Sequence, residues 1–190
     1  MPVPGPQGGL GRGAADVACV ARQGFGLDTG DRIREALSAC DREVHAAAAR
    51  EPALTAMGTT IAGVVVTPDQ VLAFNVGDSR VYAAGPGGVH QLSTDDRLSD
   101  EDLPSSIVTQ ALGGIDVLAA PGPHLVTSPL SEDTSYLICT DGLTDPVPAE
   151  VLTQTLCRHQ DGRAVFALWQ AAIEAGGPDN ITIALVRVGT

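Results

Sequence analysis

Residues 60–92 read TIAGVVVTPDQVLAFNVGDSRVYAAGPGGVHQL, and the period of that stretch decides the fold class. Four short runs rich in β-branched residues, Thr60–Thr67, Val71–Val76, Arg80–Ala84 and Val89–Leu92, are parted by Thr67-Pro68-Asp69-Gln70, Gly77-Asp78 and Gly85-Pro86-Gly87-Gly88. Each separator carries the Pro, Gly or Asp that tight turns use, so each run is expected as a strand. Connections this short join neighbouring antiparallel strands, and the expectation is a meander.

On either side the period changes. Upstream, Ile33, Leu37, Cys40 and Val44 form one stripe of a helix from Asp28 or Thr29 to Arg50, ending before Pro52. A shorter helical pattern from Gly13 carries Ala14, Val17, Ala18 and Ala21 and stops at Gly24 and Gly26. Downstream come an acidic segment, a short helical pattern around Ser106–Leu112, and a strand pair near His124–Thr127 and Thr134–Cys139. Two helices, Pro148–Arg158 and Asp161–Ala175, and a last strand, Asn180–Val188, complete the chain. Helices and strands are segregated, which predicts an α+β layered domain with antiparallel sheets. Residues 1–12 are a Gly/Pro-rich irregular N-terminus and residues 13–190 one domain.

Composition narrows the chemistry. The 190 residues carry 23 acidic and 11 basic side chains, net −12, which argues against nucleic-acid or anionic-membrane partners. All the cations are Arg; without Lys, Schiff-base and Walker-type phosphate chemistry is excluded. Abundant Ala, Gly and Arg without Lys points to a high-GC bacterial genome. Cys19, Cys40, Cys139 and Cys157 are far apart and read as reduced small hydrophobes of a cytoplasmic protein. No stretch approaches a membrane span, and the first ten residues have no basic or apolar signal-peptide region.

Three Asp residues sit in Gly-flanked turns at strand ends: Asp78 in Asn75-Val76-Gly77-Asp78-Ser79-Arg80, Asp141 in Cys139-Thr140-Asp141-Gly142, and Asp179 in Gly176-Gly177-Pro178-Asp179-Asn180. Singly, each is ordinary turn chemistry. Together, strand-end carboxylates can converge on a hard divalent cation such as Mg²⁺ or Mn²⁺.

Four strings in order, Met57-Gly58-Thr59-Thr60, Asn75 to Tyr82, Cys139 to Asp145 and Gly176 to Thr182, resemble the PPM (PP2C-type) metal-dependent serine/threonine protein phosphatases. The likeness runs from about Gly11 to Val188 and implies an α-β-β-α sandwich. It also implies that Asp141 and Asp179 bind a pair of Mn²⁺ or Mg²⁺ ions, and that Asp78 serves an additional metal site. Asn180 and Gly142 are then local orienting positions. The implied reaction uses a metal-activated water on phosphoserine or phosphothreonine, with no protein nucleophile. Implied partners are phosphorylated Ser/Thr proteins of a Ser/Thr kinase pathway in bacterial signalling, with no nucleic acid and no membrane. The branch acting on anti-sigma-factor antagonists is set aside, because it has Asn-Ala-Gly-His where this chain has Asn75-Val76-Gly77-Asp78.

The pattern departs at its start. The family's first strands, and its Asp-Gly-x-Gly-Gly-His turn with the Asp that bridges both ions, have no clear counterpart. Aligning Gly11–Ala18 with the start of the first helix puts Gln7 at the bridging position, Gly8 (a backbone carbonyl) after it, and Arg12 at the His. The first strands are expected to be lacking, through truncation, a mis-started reading or decay. A neutral Gln cannot compensate two dications, so the alternative to an active phosphatase is a degenerate one that binds a phosphoprotein or partner without turnover. The family's Asp-His-Ser after the fourth meander strand is Asp95-Asp96-Arg97, and Gln110 replaces an Arg before Ala-Leu-Gly.

For the remaining residues the plainer roles are expected. Arg80 braces the Asp78 turn by pairing with a carboxylate. Asp145 is a helix N-cap ahead of Pro146. Asp95, Asp96, Asp100, Glu101 and Asp102 form a solvated loop. Phe166, Trp169, Ala172 and Ile173 pack into the core. His45, His90, His124 and His159 are scattered and half-buried or exposed.

Overall fold

A computed structural model describes residues 18–22, 29–98, 107–114, 120–159 and 161–188. The proposed N-terminal segment 1–12, including Gln7, Gly8 and Arg12, lies outside them, as do Asp100, Glu101 and Asp102. The strands are β1 (Ala18–Arg22), β2 (Gly58–Thr59), β3 (Ile61–Val66), β4 (Gln70–Val76), β5 (Arg80–Gly85), β6 (Gly88–Gln91), β7 (Leu112–Gly113), β8 (His124–Pro129), β9 (Ser135–Cys139) and β10 (Ile183–Arg187). The helices are α1 (Thr29–Arg50), α2 (Asp141–Thr144), α3 (Ala149–Arg158) and α4 (Gly162–Glu174), with a short 3₁₀ turn at Pro52–Leu54.

Two four-stranded sheets carry the fold, in the orders β1-β3-β4-β8 and β10-β9-β5-β6; β2 pairs with β7 alone. Apolar residues alternating along the strands face each other between the sheets: Ala62, Val64 and Val66 from β3, Val71 and Ala73 from β4, Val81 from β5, Tyr136 and Ile138 from β9. The opposite faces are buried too. Val65, Leu72, Phe74 and Val76 pack under Leu37 of α1. Leu137 and Cys139 pack against Leu143, Leu152, Leu156, Ala164, Leu168 and Ala172 of α2, α3 and α4. Burial on both faces explains why the β3 and β4 sequences are nearly continuous apolar runs. The layering is the α-β-β-α sandwich that the resemblance implies. Among the described residues no helix is long and apolar enough to cross a membrane.

Several local expectations are overturned. Ala18–Arg22, read as helix, is a strand that runs parallel to β3, so one sheet is mixed rather than antiparallel. Five residues including two Ala satisfy either period, and sheet pairing decides. The meander breaks at Gly77-Asp78-Ser79, where the chain leaves one sheet and enters the other. Likewise β8 borders β4 while β9 lies in the second sheet, so the two are not a pair. Residues 107–113 are extended rather than helical: Val108 bridges Arg97, and Leu112–Gly113 pairs with β2. The positive φ of Gly113 (77°) and Gly114 (91°) stops a helix there.

Two helical stripes also differ. On α1, Cys40 is exposed and Asp41 is buried, where its Oδ1 accepts the Gly113 N–H at 2.8 Å. On α4, Ala164, Leu168 and Ala172 make the core contact, while Phe166 is 62% exposed, Trp169 44% and Ile173 47%. The buried face of α4 is thus made of Ala164, Leu168 and Ala172. Asp145 is not an N-cap, because α3 begins after Pro148; its backbone N–H closes α2 on the Asp141 carbonyl instead.

Candidate functional site

The four motif strings come together at the ends of the strands, in two braced pairs. The first pair is built around Gly77, whose φ of 97° is open to Gly and strained for other residues. A Cβ there would run into the Thr60 side chain, so Thr60, between β2 and β3, packs directly on the turn. Thr60 Oγ1 and Ser79 Oγ share a hydrogen bond at 2.8 Å. Asn75, fully buried, donates through Nδ2 to the Gly77 carbonyl (3.1 Å) and the Thr94 carbonyl (2.7 Å), and its Oδ1 accepts from the Thr94 N–H. Every polar atom of that amide is thereby matched, as a buried amide requires.

The second pair joins the Asp141 turn to the Asp179 turn. Thr140 Oγ1 donates to the Asn180 carbonyl (3.3 Å) and accepts the Thr182 N–H (3.1 Å). A Cβ on Gly142 would sit against that same Asn180 carbonyl, so close approach of the two backbones demands Gly.

Arg97 ties the two pairs together. Its Nε donates to Asp78 Oδ2 at 2.7 Å, its Nη1 to Asp145 Oδ1 at 2.9 Å, and its Nη2 to Asp145 Oδ2 at 3.2 Å and to Asp141 Oδ2 at 3.3 Å. Three carboxylates, Asp78 from one part of the chain and Asp141 and Asp145 from another, thus meet on one guanidinium. Burial works against the Arg97 charge, but the hydrogen bonds with Asp145 and Asp78 outweigh it and push its pKa above the ordinary value. The Asp141 carboxyl is pushed up from its ordinary value by burial first, then by the charges of Asp78 and Asp145, with Arg97 opposing. Asp179 lies outside this contact. It is exposed, its Oδ1 accepts the Asn180 N–H at 2.7 Å, and it is near enough to add a small upward push on Asp141.

Around this core, Arg80 pairs with Asp95 (2.6 Å) and not with Asp78, and donates to the Tyr82 hydroxyl. Asp95 and Asp96 are not a solvated loop. Asp96 accepts from the Gly77 N–H (2.8 Å), Gln110 Nε2 (2.9 Å) and His124 Nε2 (2.8 Å). Arg97 and Asp96 are the residues that the sequence reading missed. The available signal was a lone Arg inside an acidic run, at the place of the family's Ser.

Oxygen donors of this kind suit a hard divalent cation. As arranged, however, they converge on a guanidinium, and among the described residues no three His, Cys, Asp or Glu side chains are placed to hold a metal ion. The residues fit a metal in kind; their present geometry fits Arg97.

Comparison with known proteins settles the family. The family model described as Protein phosphatase 2C matches residues 14–179. The chain belongs to the protein phosphatase 2C family. This PP2C domain is 29% identical over 171 residues to the serine/threonine protein phosphatase PstP of Mycobacterium tuberculosis, covering 83% of this chain and 32% of that protein. It is 27% identical over 167 residues to the serine/threonine phosphatase stp of Listeria monocytogenes, covering 82% and 66%. The chain therefore spans about a third of the length of the first relative and about two thirds of the second. Among solved structures, the M. tuberculosis serine/threonine phosphatase PstP/Ppp superposes with a TM-score of 0.76 at 27% identity, covering 87% of this chain and 74% of that one. The PstP catalytic domain in complex with 2 manganese ions gives 0.72 at 26% identity, covering 85% and 71%.

Proposed function

We propose that this PP2C domain is a serine/threonine protein phosphatase that hydrolyses phosphoserine and phosphothreonine in proteins with Mn²⁺ or Mg²⁺ as cofactor. The observation that carries the reading is the meeting of Asp78 and Asp141, from turns in different parts of the chain, on one cationic point. Asp141, Asp179 and Asp78 are the residues that would hold the metal. When bound, a metal pair supplies an acidified water and neutralises charge on the phosphate oxygens. Gly142 and Asn180 keep the Asp141 and Asp179 turns at fixed spacing, and Arg80 braces the Asp78 turn through Asp95. A reduced cytoplasmic setting and phosphorylated protein substrates in a bacterial Ser/Thr kinase pathway go with this activity.

By the sequence alignment of Gly11–Ala18 with the start of the family's first helix, a neutral Gln, Gln7, stands where the family has its bridging Asp, with Gly8 after it.

The test is release of phosphate from a phosphothreonine peptide by the 190-residue chain as Mn²⁺ is raised, with Asp141→Ala as control. Turnover that needs Mn²⁺ and is lost in the control is expected. No turnover at saturating Mn²⁺ would overturn the reading in favour of a domain that binds phosphoproteins without hydrolysing them.

A further inference from the structure

We infer that Arg97 is a built-in counter-cation which holds Asp78 and Asp141 where a divalent ion would, so that metal entry and departure of the guanidinium form one linked equilibrium. This rests on the assignment of Asp78 and Asp141 as metal ligands in the proposed phosphatase.

Four hydrogen bonds from one guanidinium occupy Asp78 Oδ2, Asp141 Oδ2 and both Asp145 oxygens, so an ion bound through those atoms would displace it. The Asp78 side chain is 5% exposed and that of Arg97 13%, so water screens their contact poorly. A carboxylate as buried as Asp78 needs a compensating charge at all times, either the guanidinium or a metal. Three carboxylates against one guanidinium also leave two negative charges in excess. A divalent ion replacing the guanidinium would meet that excess better. The exchange can be made by the side chain alone. The backbone on either side of Arg97 is pinned by the Leu98 N–H to the Ile107 carbonyl (3.1 Å) and the Thr109 N–H to the Asp96 carbonyl (2.8 Å).

The consequence is a reduced apparent metal affinity, in proportion to the fraction of time the guanidinium is withdrawn. Removing Arg97 should tighten Mn²⁺ binding. The experiment is calorimetric titration of Mn²⁺, with thermal unfolding in the same buffers, on the wild type, Arg97→Ala, Arg97→Gln and Arg163→Gln. The last variant makes the same change in net charge at an exposed helix end. Arg97→Gln keeps a neutral donor beside Asp78, so the test survives if Arg97→Ala does not fold.

Both Arg97 variants are expected to bind Mn²⁺ about tenfold or more tightly than the wild type. Mn²⁺ should also raise their unfolding midpoints more than it raises that of the wild type, and Arg163→Gln should match the wild type. Equal Mn²⁺ affinity in the wild type and the Arg97 variants, or weaker binding in the variants, overturns the inference. A peptide-hydrolysis assay of the wild type separates the two ideas. Equal affinity with Mn²⁺-dependent turnover removes only the role of Arg97. No Mn²⁺ binding in any variant and no turnover removes both.

Discussion

The Asp78 and Asp179 turns announce themselves in the same way, as Asp beside Gly at the end of an apolar strand, yet the fold treats them oppositely. Asp78 sits where the chain crosses from one sheet to the other and is 4% exposed. It is bound by Arg97, and its turn is held by Asn75, Thr60 and Asp96. Asp179 is exposed, and its turn is held through backbone groups docked on Thr140 and Gly142. A carboxylate carried into the interior by a sheet crossing needs a fixed positive partner, whereas one left in water does not. The sequence motif specifies a turn, and burial decides what that turn must be paired with.

The difference predicts a graded series of effects. Arg97→Ala strands Asp78 without a partner, and urea unfolding should show a loss of about 3 kcal/mol. Gly142→Ala forces the Asn180 backbone away and should cost about 2 kcal/mol without touching Arg97, measured the same way. Cys139, at the end of β9 beside the Asp141 turn, probes burial most directly, since burial outweighs the charges of Arg80, Asp95 and Asp141 on its thiol. Burial pushes its thiol up from 9.0 to about 12. The unfolded thiol ionises first, so stability is unaffected below pH 9 and falls as pH rises toward 12. About 1 kcal/mol should be lost by roughly pH 10 from this group. The slope of stability against pH above 9 should accordingly be shallower in Cys139→Ala than in the wild type. Asp179→Asn, at the exposed turn, should change stability by less than about 0.5 kcal/mol.

Much of the fold was legible because it rests on local signals. The β3 and β4 runs, the long amphipathic α1 and the two C-terminal helices announce themselves by period alone. The crossing at Gly77-Asp78-Ser79 was not legible, since a short turn within one sheet and one between two sheets use the same residues. Ala18–Arg22 was misread because a short Ala-rich segment has no decisive period, and pairing with β3 came from 44 residues away. At the candidate site, Asp78, Asp141 and Asp179 were visible as residues but not as an arrangement. Arg97 was opaque for a physical reason: its partners lie 19, 44 and 48 residues distant, and no local pattern encodes that meeting. The exposed Phe166, Trp169 and Ile173 show the converse limit, where an apolar stripe does not say which of its residues reach the core.

The most direct measurement is a pair of double-mutant cycles on unfolding free energy, Arg97→Ala with Asp78→Asn and Arg97→Ala with Asp179→Asn. If Asp78 depends on the guanidinium and Asp179 does not, the first cycle should show a coupling of at least about 1 kcal/mol and the second should be additive within about 0.5 kcal/mol. Additivity in the first cycle, or equal coupling in both, would contradict the division between the two turns.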